Sequence, residues 1–366
     1  MGKEMEERLF QSLEIDALLL TGTPNMRYTV GFTGEGYVYL SRKHRIVVTD
    51  ARYTAAAREE CADCEIVEWK KDGYYATLTA FLQKDGVKRL GFEDSAMTVA
   101  FYNKLNHSFA EKGLRDVICV PVQDKVDFCR AVKTEEEQNQ IRRAEAIGDA
   151  AFSRIVEQLR PGLTEKQVAA LLEFYMKEAG ADALSFDTIA ASGYHSAMPH
   201  AIPTDKKLKE GEFLTMDFGC RYQGYCSDMT RTVVIGKADA RQKEMYEIVL
   251  RAQQTALAGI RPGLTGKEID ALARDVIEEA GYGKYFTHSL GHSLGLEIHE
   301  SPNFSSREER LIETGMVITV EPGIYIEGFG GVRIEDVVII TEDGCENITH
   351  SPKQIIEIEK EKERYR

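Results

Sequence analysis

The chain contains a long copy of itself. Residues 159–180 read LRPGLTEKQVAALLEFYMKEAG and residues 260–281 read IRPGLTGKEIDALARDVIEEAG. At an offset of 101, without gaps, they share 11 of 22 positions. Two unrelated helices with a common cap motif would not match that far along, so the chain is duplicated over this region. Thr164 and Thr265 read as N-caps of the helices that follow. The correspondence continues downstream. LTMDFG (214–219) matches ITVEPG (318–323), which pairs Asp217 with Glu321, and Ser227-Asp228 matches Ile334-Glu335. Pro199-His200 corresponds to Ile298-His299, with a few residues inserted.

Each half then supplies an acid pair on a hairpin. Phe213 to Ile235, FLTMDFGCRYQGYCSDMTRTVVI, reads as two β-rich runs around a Gln223-Gly224 turn. Folding it brings Asp217 and Asp228 within a residue or two of facing each other, and like charges opposed across strands are destabilising. Glu321 and Glu335 flank a second Gly-rich turn, EGFGG, whose midpoint sets them opposite each other. Halves related by a pseudo-twofold would bring both hairpins to the axis. Four carboxylates converging there need cations, and two divalent ions would satisfy them.

With 366 residues the chain is long enough for two domains. The segment to about Asp127 alternates short strands (17–22, 37–41, 44–50, 64–69, 88–93 and 117–122) with helical patterns, an α/β domain. It has no Gly-x-Gly-x-x-Gly and no phosphate-binding loop, so a nucleotide site is unsupported. Its role reads as structural or as closing over a neighbouring site. The run from Thr134 to Gln158 reads as a helix with an acidic start and is expected to be the hinge between domains. The predicted boundaries are 1–130 and 131–366. A net charge of −14 argues against nucleic acid or an anionic membrane as partner. No apolar stretch approaches a bilayer span, and the N-terminus has no signal-peptide core. Seven scattered cysteines fit reduced thiols and a cytoplasmic location. Cys61 and Cys64 lack the second pair that a zinc site requires.

The second half also carries THSLGHSLGLEIHE (287–300), with His288, His292 and His299. It is not a His-Glu-x-x-His helix, because no second histidine follows His299-Glu300 and Gly291 and Gly295 interrupt a helix. His292, flanked by those glycines, is the candidate to complete a carboxylate-rich site. Gly291-His292-Ser293-Leu294-Gly295 also matches the nucleophile elbow of α/β-hydrolases. The preceding YGKYFTHSL makes a poor strand, Pro302 falls where a helix should run, and no oxyanion His-Gly-Gly-Gly is present. A serine hydrolase is therefore disfavoured.

Asp217, Asp228, His292, Glu321 and Glu335, in their VEPG, RIED, SDMTRT and GHSLGLEIHE contexts, resemble the pita-bread metallopeptidases. That group includes methionine aminopeptidase, aminopeptidase P and prolidase. PNMRYTVGFTG, VTDARYTAAARE and VDFCRAVKTEEE are similar to the creatinase/prolidase N-terminal domain, so the resemblance covers nearly the whole chain. It implies an α/β first domain and an α+β pita-bread catalytic domain with a pseudo-twofold repeat. The five named residues would be metal ligands for two divalent ions, Mn²⁺ by preference, with Co²⁺ or Zn²⁺ as alternatives. The implied activity is hydrolysis of the Xaa-Pro bond at a peptide N-terminus by a metal-bridged hydroxide. Glu321 would shuttle the proton, and His200 and His299 would position substrate and stabilise the tetrahedral intermediate. Arg333 is expected to orient Glu335, contact substrate or make a nearby salt bridge. His288 would line the pocket and His195 would pack against the entry loop. Some prolidases carry an arginine shortly after the equivalent of His299. Here that place reads Ser301-Pro302-Asn303, which favours an aminopeptidase over a dipeptidase. A methionine-type aminopeptidase and a non-catalytic pita-bread binding protein remain as alternatives. The resemblance further implies a homodimer.

Overall fold

The structure is a computed structural model and describes residues 3–69, 73–122 and 124–359. It divides into two compact units, Met1–Arg130 and Ala131–Arg366. The predicted segments extend over residues 1–2, 70–72, 123 and 360–366, which lie outside the described residues.

The first unit is built on a six-stranded mixed sheet. Its spatial order is Glu65–Glu68, Arg45–Thr49, Gly36–Ser41, Ala17–Leu20, Arg89–Phe92 and Ile118–Pro121. The strand ALLL is apolar at every position because both faces are covered. Leu18 and Leu20 enter one core cluster, and Ala17 and Leu19 enter the other. All six predicted strands are present; five are shorter than predicted, and the one read over 37–41 begins a residue earlier, at Gly36. Helices over Lys3–Leu13, Thr23–Val30 and Val99–Glu111 add to those read from the sequence.

In the second unit the duplication becomes architecture. A helix pair, Glu135–Gln158 and Glu165–Glu178, precedes a sheet ordered Glu357–Ile358, Met229–Ile235, Glu212–Phe218, Ile189–Ser192. A second pair, Ala240–Gly259 and Gly266–Glu279, precedes a sheet ordered Glu300–Phe304, Gly291–Ser293, Val317–Val320, Asp336–Ile340, Cys345–Asn347. Thr164 and Thr265 both cap their helices through complete capping boxes, with Gln167 and Glu268 returning the bond. The identical Arg-Pro-Gly-Leu-Thr segments thus solve the same local problem twice.

One expectation is corrected. The Glu135–Gln158 helix is not a hinge but a core element of the second unit. Its Ala144, Ile147, Ala151, Phe152 and Ile155 pack with Leu172, Met216 and Phe218. The acidic first turn that suggested a boundary is a capping box, Thr134 with Glu137.

The two hairpins keep strict register. In the first, Asp217 pairs with Thr230 and Tyr222 with Tyr225 around Gln223-Gly224, both at positive φ as a two-residue primed turn requires. Asp228 therefore lies diagonally across from Asp217 on the same face. In the second, Val320 pairs with Asp336 and Gly323 with Arg333. Carrying that register inward sets Glu321 directly opposite Glu335. The hairpins meet where the Glu335 amide donates to the Thr230 carbonyl (3.1 Å) and the Thr230 hydroxyl to Glu335 Oε2 (2.6 Å).

Candidate active site

A cavity of about 520 Å³ opens where the hairpins meet, and Asp217, Asp228, His292, Glu321 and Glu335 all line it. Donor atoms of Asp228, His292 and Glu335 lie within 4.8 Å of one another. His292 Nε2 stands 3.4 Å from Asp228 Oδ2 and 3.5 Å from Glu321 Oε1. His292 sits on the short strand Gly291–Ser293, squeezed between two neighbours. A Cβ at Gly291 would lie 1.9 Å from the Thr319 carbonyl oxygen, so the close approach anticipated from the flanking glycines is required. The backbone amide of His292 donates to Thr319 Oγ1 (3.0 Å), which itself donates to Glu321 Oε1 (3.1 Å).

The electrostatics are those of a site built around positive charge. Burial, then repulsion from Asp217 and Glu321, pushes Asp228 well above the ordinary carboxylate range. Burial, then Asp228, does the same to Glu335, and burial raises Glu321. Asp217 Oδ1 is buried without a hydrogen-bond partner. His292 Nδ1 lies 3.1 Å from the Ser293 carbonyl, which sets the proton there and leaves the Nε2 lone pair facing the acids. An orphaned carboxylate oxygen, three acids held up by burial and by their neighbours' charge, and a correctly presented imidazole fit a hard or borderline divalent cation.

Arg333 holds Asp217 rather than Glu335. Its Nη2 donates to Asp217 Oδ2 (2.5 Å), its Nη1 to the Tyr325 hydroxyl (2.8 Å) and its Nε to Thr230 Oγ1 (3.0 Å). The Tyr325 hydroxyl in turn reaches His288 Nε2 (2.9 Å), whose Nδ1 meets the Ser289 carbonyl (2.7 Å). Burial drops His288 to about 3, so it is a neutral imidazole with both nitrogens engaged. It lines the cavity but has no free hydrogen-bonding group to offer. His200 and His299 line the same cavity. The His299 ring meets the His292 ring edge-on at 4.5 Å, and burial with its histidine neighbours lowers its pKa. His195 stands outside the cavity lining, with Nδ1 3.0 Å from Glu165.

Two buried acids behind the site were missed from sequence. Glu145 accepts the Asp228 amide (2.8 Å) and the Thr349 hydroxyl (3.0 Å). Asp336 gathers Arg231, Lys353, Gln253 and Asn347. The Glu-Asp dipeptide at 335–336 was the available signal, because alternation on a strand must send its second acid to the opposite face. The hydrolase elbow is excluded by geometry. Ser293 is buried within a strand, its Oγ donates to the Pro302 carbonyl (2.6 Å), and a strand, not a helix, follows at Glu300–Phe304.

Residues 139–342 match the model of metallopeptidase family M24, and residues 7–132 that of the creatinase/prolidase N-terminal domain. An uncharacterised peptidase of Bacillus subtilis is 45% identical over 97% of this chain and 99% of its own length. The solved Xaa-Pro dipeptidase from Bacillus anthracis is 43% identical, with a TM-score of 0.92 over 97% of this chain and 99% of that one. The solved X-Pro aminopeptidase from Thermotoga maritima is 39% identical, with a TM-score of 0.89 over 96% and 99%. The repeat, the paired acid hairpins and these matches together place the chain in metallopeptidase family M24, as an enzyme of the pita-bread fold that works with divalent metal ions.

Proposed function

We propose that this enzyme hydrolyses the Xaa-Pro bond at the N-terminus of peptides, with Asp217, Asp228, His292, Glu321 and Glu335 holding two divalent ions, Mn²⁺ by preference. The observation that carries this reading is the convergence of four carboxylates and one Nε2 lone pair on a single cavity, with Asp217 Oδ1 unpartnered. The names of the dipeptidase and aminopeptidase relatives support proline as the residue after the cleaved bond.

Such ions supply a nucleophilic water at neutral pH and polarise the scissile carbonyl. The chain's own groups do the rest. Glu321 takes the proton of the attacking water on its carboxylate and returns it to the leaving proline nitrogen. His299, kept neutral at pH 7 by its lowered pKa, offers an N–H to the carbonyl oxygen as charge develops there. His200, which lines the same cavity, positions the peptide. Arg333 keeps Asp217 in place, and Tyr325 and His288 fix Arg333.

Longer peptides are favoured over dipeptides. Asn303 lines the cavity with its Oδ1 buried and unpartnered, and it faces His292 across the strand pair. A peptide N–H beyond the proline can donate to it, whereas the free carboxylate of a dipeptide cannot. Among the described residues that line the cavity, Arg333 is the one arginine or lysine, and it is committed to Asp217. Leaving a buried acceptor unmatched costs about 1–3 kcal/mol. The substrate is a proline-containing peptide. The scattered unpaired cysteines support a cytoplasmic location, and the family resemblance supports a homodimer. The test compares Mn²⁺-loaded enzyme on Ala-Pro-Ala, Ala-Pro, Ala-Ala-Ala and Met-Ala-Ala. Cleavage of Ala-Pro-Ala above the others is expected. Preference for Met-Ala-Ala would move the enzyme to the methionine-type activity.

A further inference from the structure

His200 rides on a strap. It leaves the strand Ile189–Ser192, makes a tight helical turn over Gly193–Ala197 and returns through Thr204 and Lys206 towards the strand Glu212–Phe218. The strap, through Pro199, His200, Ala201 and Ile202, forms one wall of the cavity, yet Ile202 is 82% exposed. A wall this open needs an anchor.

Glu165 provides one. It is the first residue of the helix Glu165–Glu178, is fully buried and lies outside the cavity lining. It accepts from the Ser192 amide (2.8 Å), the Ser192 hydroxyl (2.8 Å), His195 Nδ1 (3.0 Å), the Thr204 amide (3.1 Å) and the Thr204 hydroxyl (2.6 Å). These donors stand on both sides of His200 in the chain, so one carboxylate closes the loop that carries it. Lys206 Nζ adds positive charge to the same cluster through Ser192 Oγ (2.7 Å) and Glu212 Oε2 (2.6 Å). Burial by itself would raise the Glu165 pKa, but the hydrogen bonds outweigh it and hold the carboxylate below its usual value. The strap's other side is tied to the second hairpin, where the Gly331 amide donates to Ser196 Oγ (2.8 Å).

The duplicated half serves as an internal control. The residue equivalent to Glu165 is Gly266, where a Cβ would lie 2.1 Å from the Asn303 carbonyl oxygen. The buried acid there is Glu308, which comes from the loop and binds its near neighbour Arg310. A helix-borne acid holding the strap belongs only to the half that carries His200.

We infer that Glu165 is a positioning residue for substrate binding, acting through His200 by clamping both ends of its strap. This rests on the peptidase reading of the cavity. The test is a double-mutant cycle with Glu165→Ala and His200→Ala in metal-loaded enzyme, read as kcat/KM on Ala-Pro-Ala beside bound-metal content. Hydrogen exchange of amides 193–204 is measured in parallel. Glu165→Ala should lower kcat/KM about 10- to 100-fold, the scale of a misplaced contact. Bound metal should not change, and strap exchange should rise. In the His200→Ala background the further loss should shrink below about 2-fold, because contacts in series do not add. Should Glu165→Ala fail to fold, Glu165→Gln, which keeps shape but not charge, carries the same cycle with a smaller loss. Equal losses in both backgrounds, a parallel loss of metal, or unchanged strap exchange would each overturn the inference. If the wild type instead prefers a peptide without proline, the functional reading fails. The same cycle on that peptide, with the exchange data, still decides the role of Glu165.

Discussion

Replacing Asp336 by alanine tests whether the second unit is braced across its two halves from beneath the site. Arg231 follows Thr230 on the first hairpin and Asp336 follows Glu335 on the second, so their side chains leave the face opposite the acids. Arg231 Nη2 reaches Asp336 Oδ1 at 2.7 Å, with Lys353 Nζ at 2.6 Å from Oδ2, and Arg231 and Asp336 are almost wholly buried. Removing one partner of a buried pair costs about 3–5 kcal/mol. Two features set the expectation in the lower part of that range. Arg231 keeps the carbonyls of Thr230, Ser351 and Pro352 as acceptors, and Lys353 is 20% exposed and can turn to water. A loss of about 3–4 kcal/mol corresponds to roughly 6–16 °C in Tm for a unit of this size. Calorimetry on metal-free protein avoids stabilisation by bound ions. Burial would raise the Asp336 pKa, but Arg231 and Lys353 outweigh it and lower it. The contribution is therefore complete above the unfolded value of about 3.9 and is lost only as pH falls through the lower folded value. Between pH 5 and 8 the difference between wild type and Asp336→Ala should be flat. A Tm shift under about 2 °C, or a difference that grows towards pH 8, would refute the brace.

Two further outcomes follow from single residues. Burial pushes Glu145 up to about 8, so its ionisation opposes folding. In metal-free protein its own share of stability should fall as pH rises from about 4.5 to 8, by the order of 1 kcal/mol per pH unit, beside the shares of the raised Asp228, Glu321 and Glu335. Glu145→Gln should remove that share and make the slope shallower in pH-dependent denaturant unfolding, and an unchanged slope would contradict the assignment. Ser293→Ala removes the buried bond to the Pro302 carbonyl and should cost about 1 kcal/mol of stability. Peptidase kcat/KM should stay within about 3-fold, and complete loss with normal metal content would revive a serine nucleophile.

Much of the site was legible because a duplicated sequence carries its own alignment. Asp217 beside Glu321, and Asp228 beside Glu335, could be matched without knowing any distance. Two-residue and Gly-rich turns then set the hairpin registers, and the structure holds those registers without slippage. His292 was legible because glycines mark where backbones crowd. Hydrogen bonds between residues about a hundred positions apart were not legible. Arg333 faces Asp217 across 116 residues, and nothing local distinguishes that partner from Glu335. Glu145 and Glu165 look like ordinary helix-surface acids in a charged chain. Their burial follows only from which helix face meets the sheet and the strap. The Thr134–Gln158 helix was misplaced as a hinge for a related reason. An acidic first turn marks a helix start equally well at a domain boundary and inside a core.

On the proposed reading, catalysis depends on ions held by these five residues. The most direct measurement titrates Mn²⁺ into chelator-stripped enzyme while following cleavage of Ala-Pro-Ala. No cleavage is expected without metal, followed by a rise that breaks at two equivalents per chain, with Asp217→Ala failing to recover at any Mn²⁺ level. Full activity in protein stripped of metal, or full recovery in Asp217→Ala, would contradict the account.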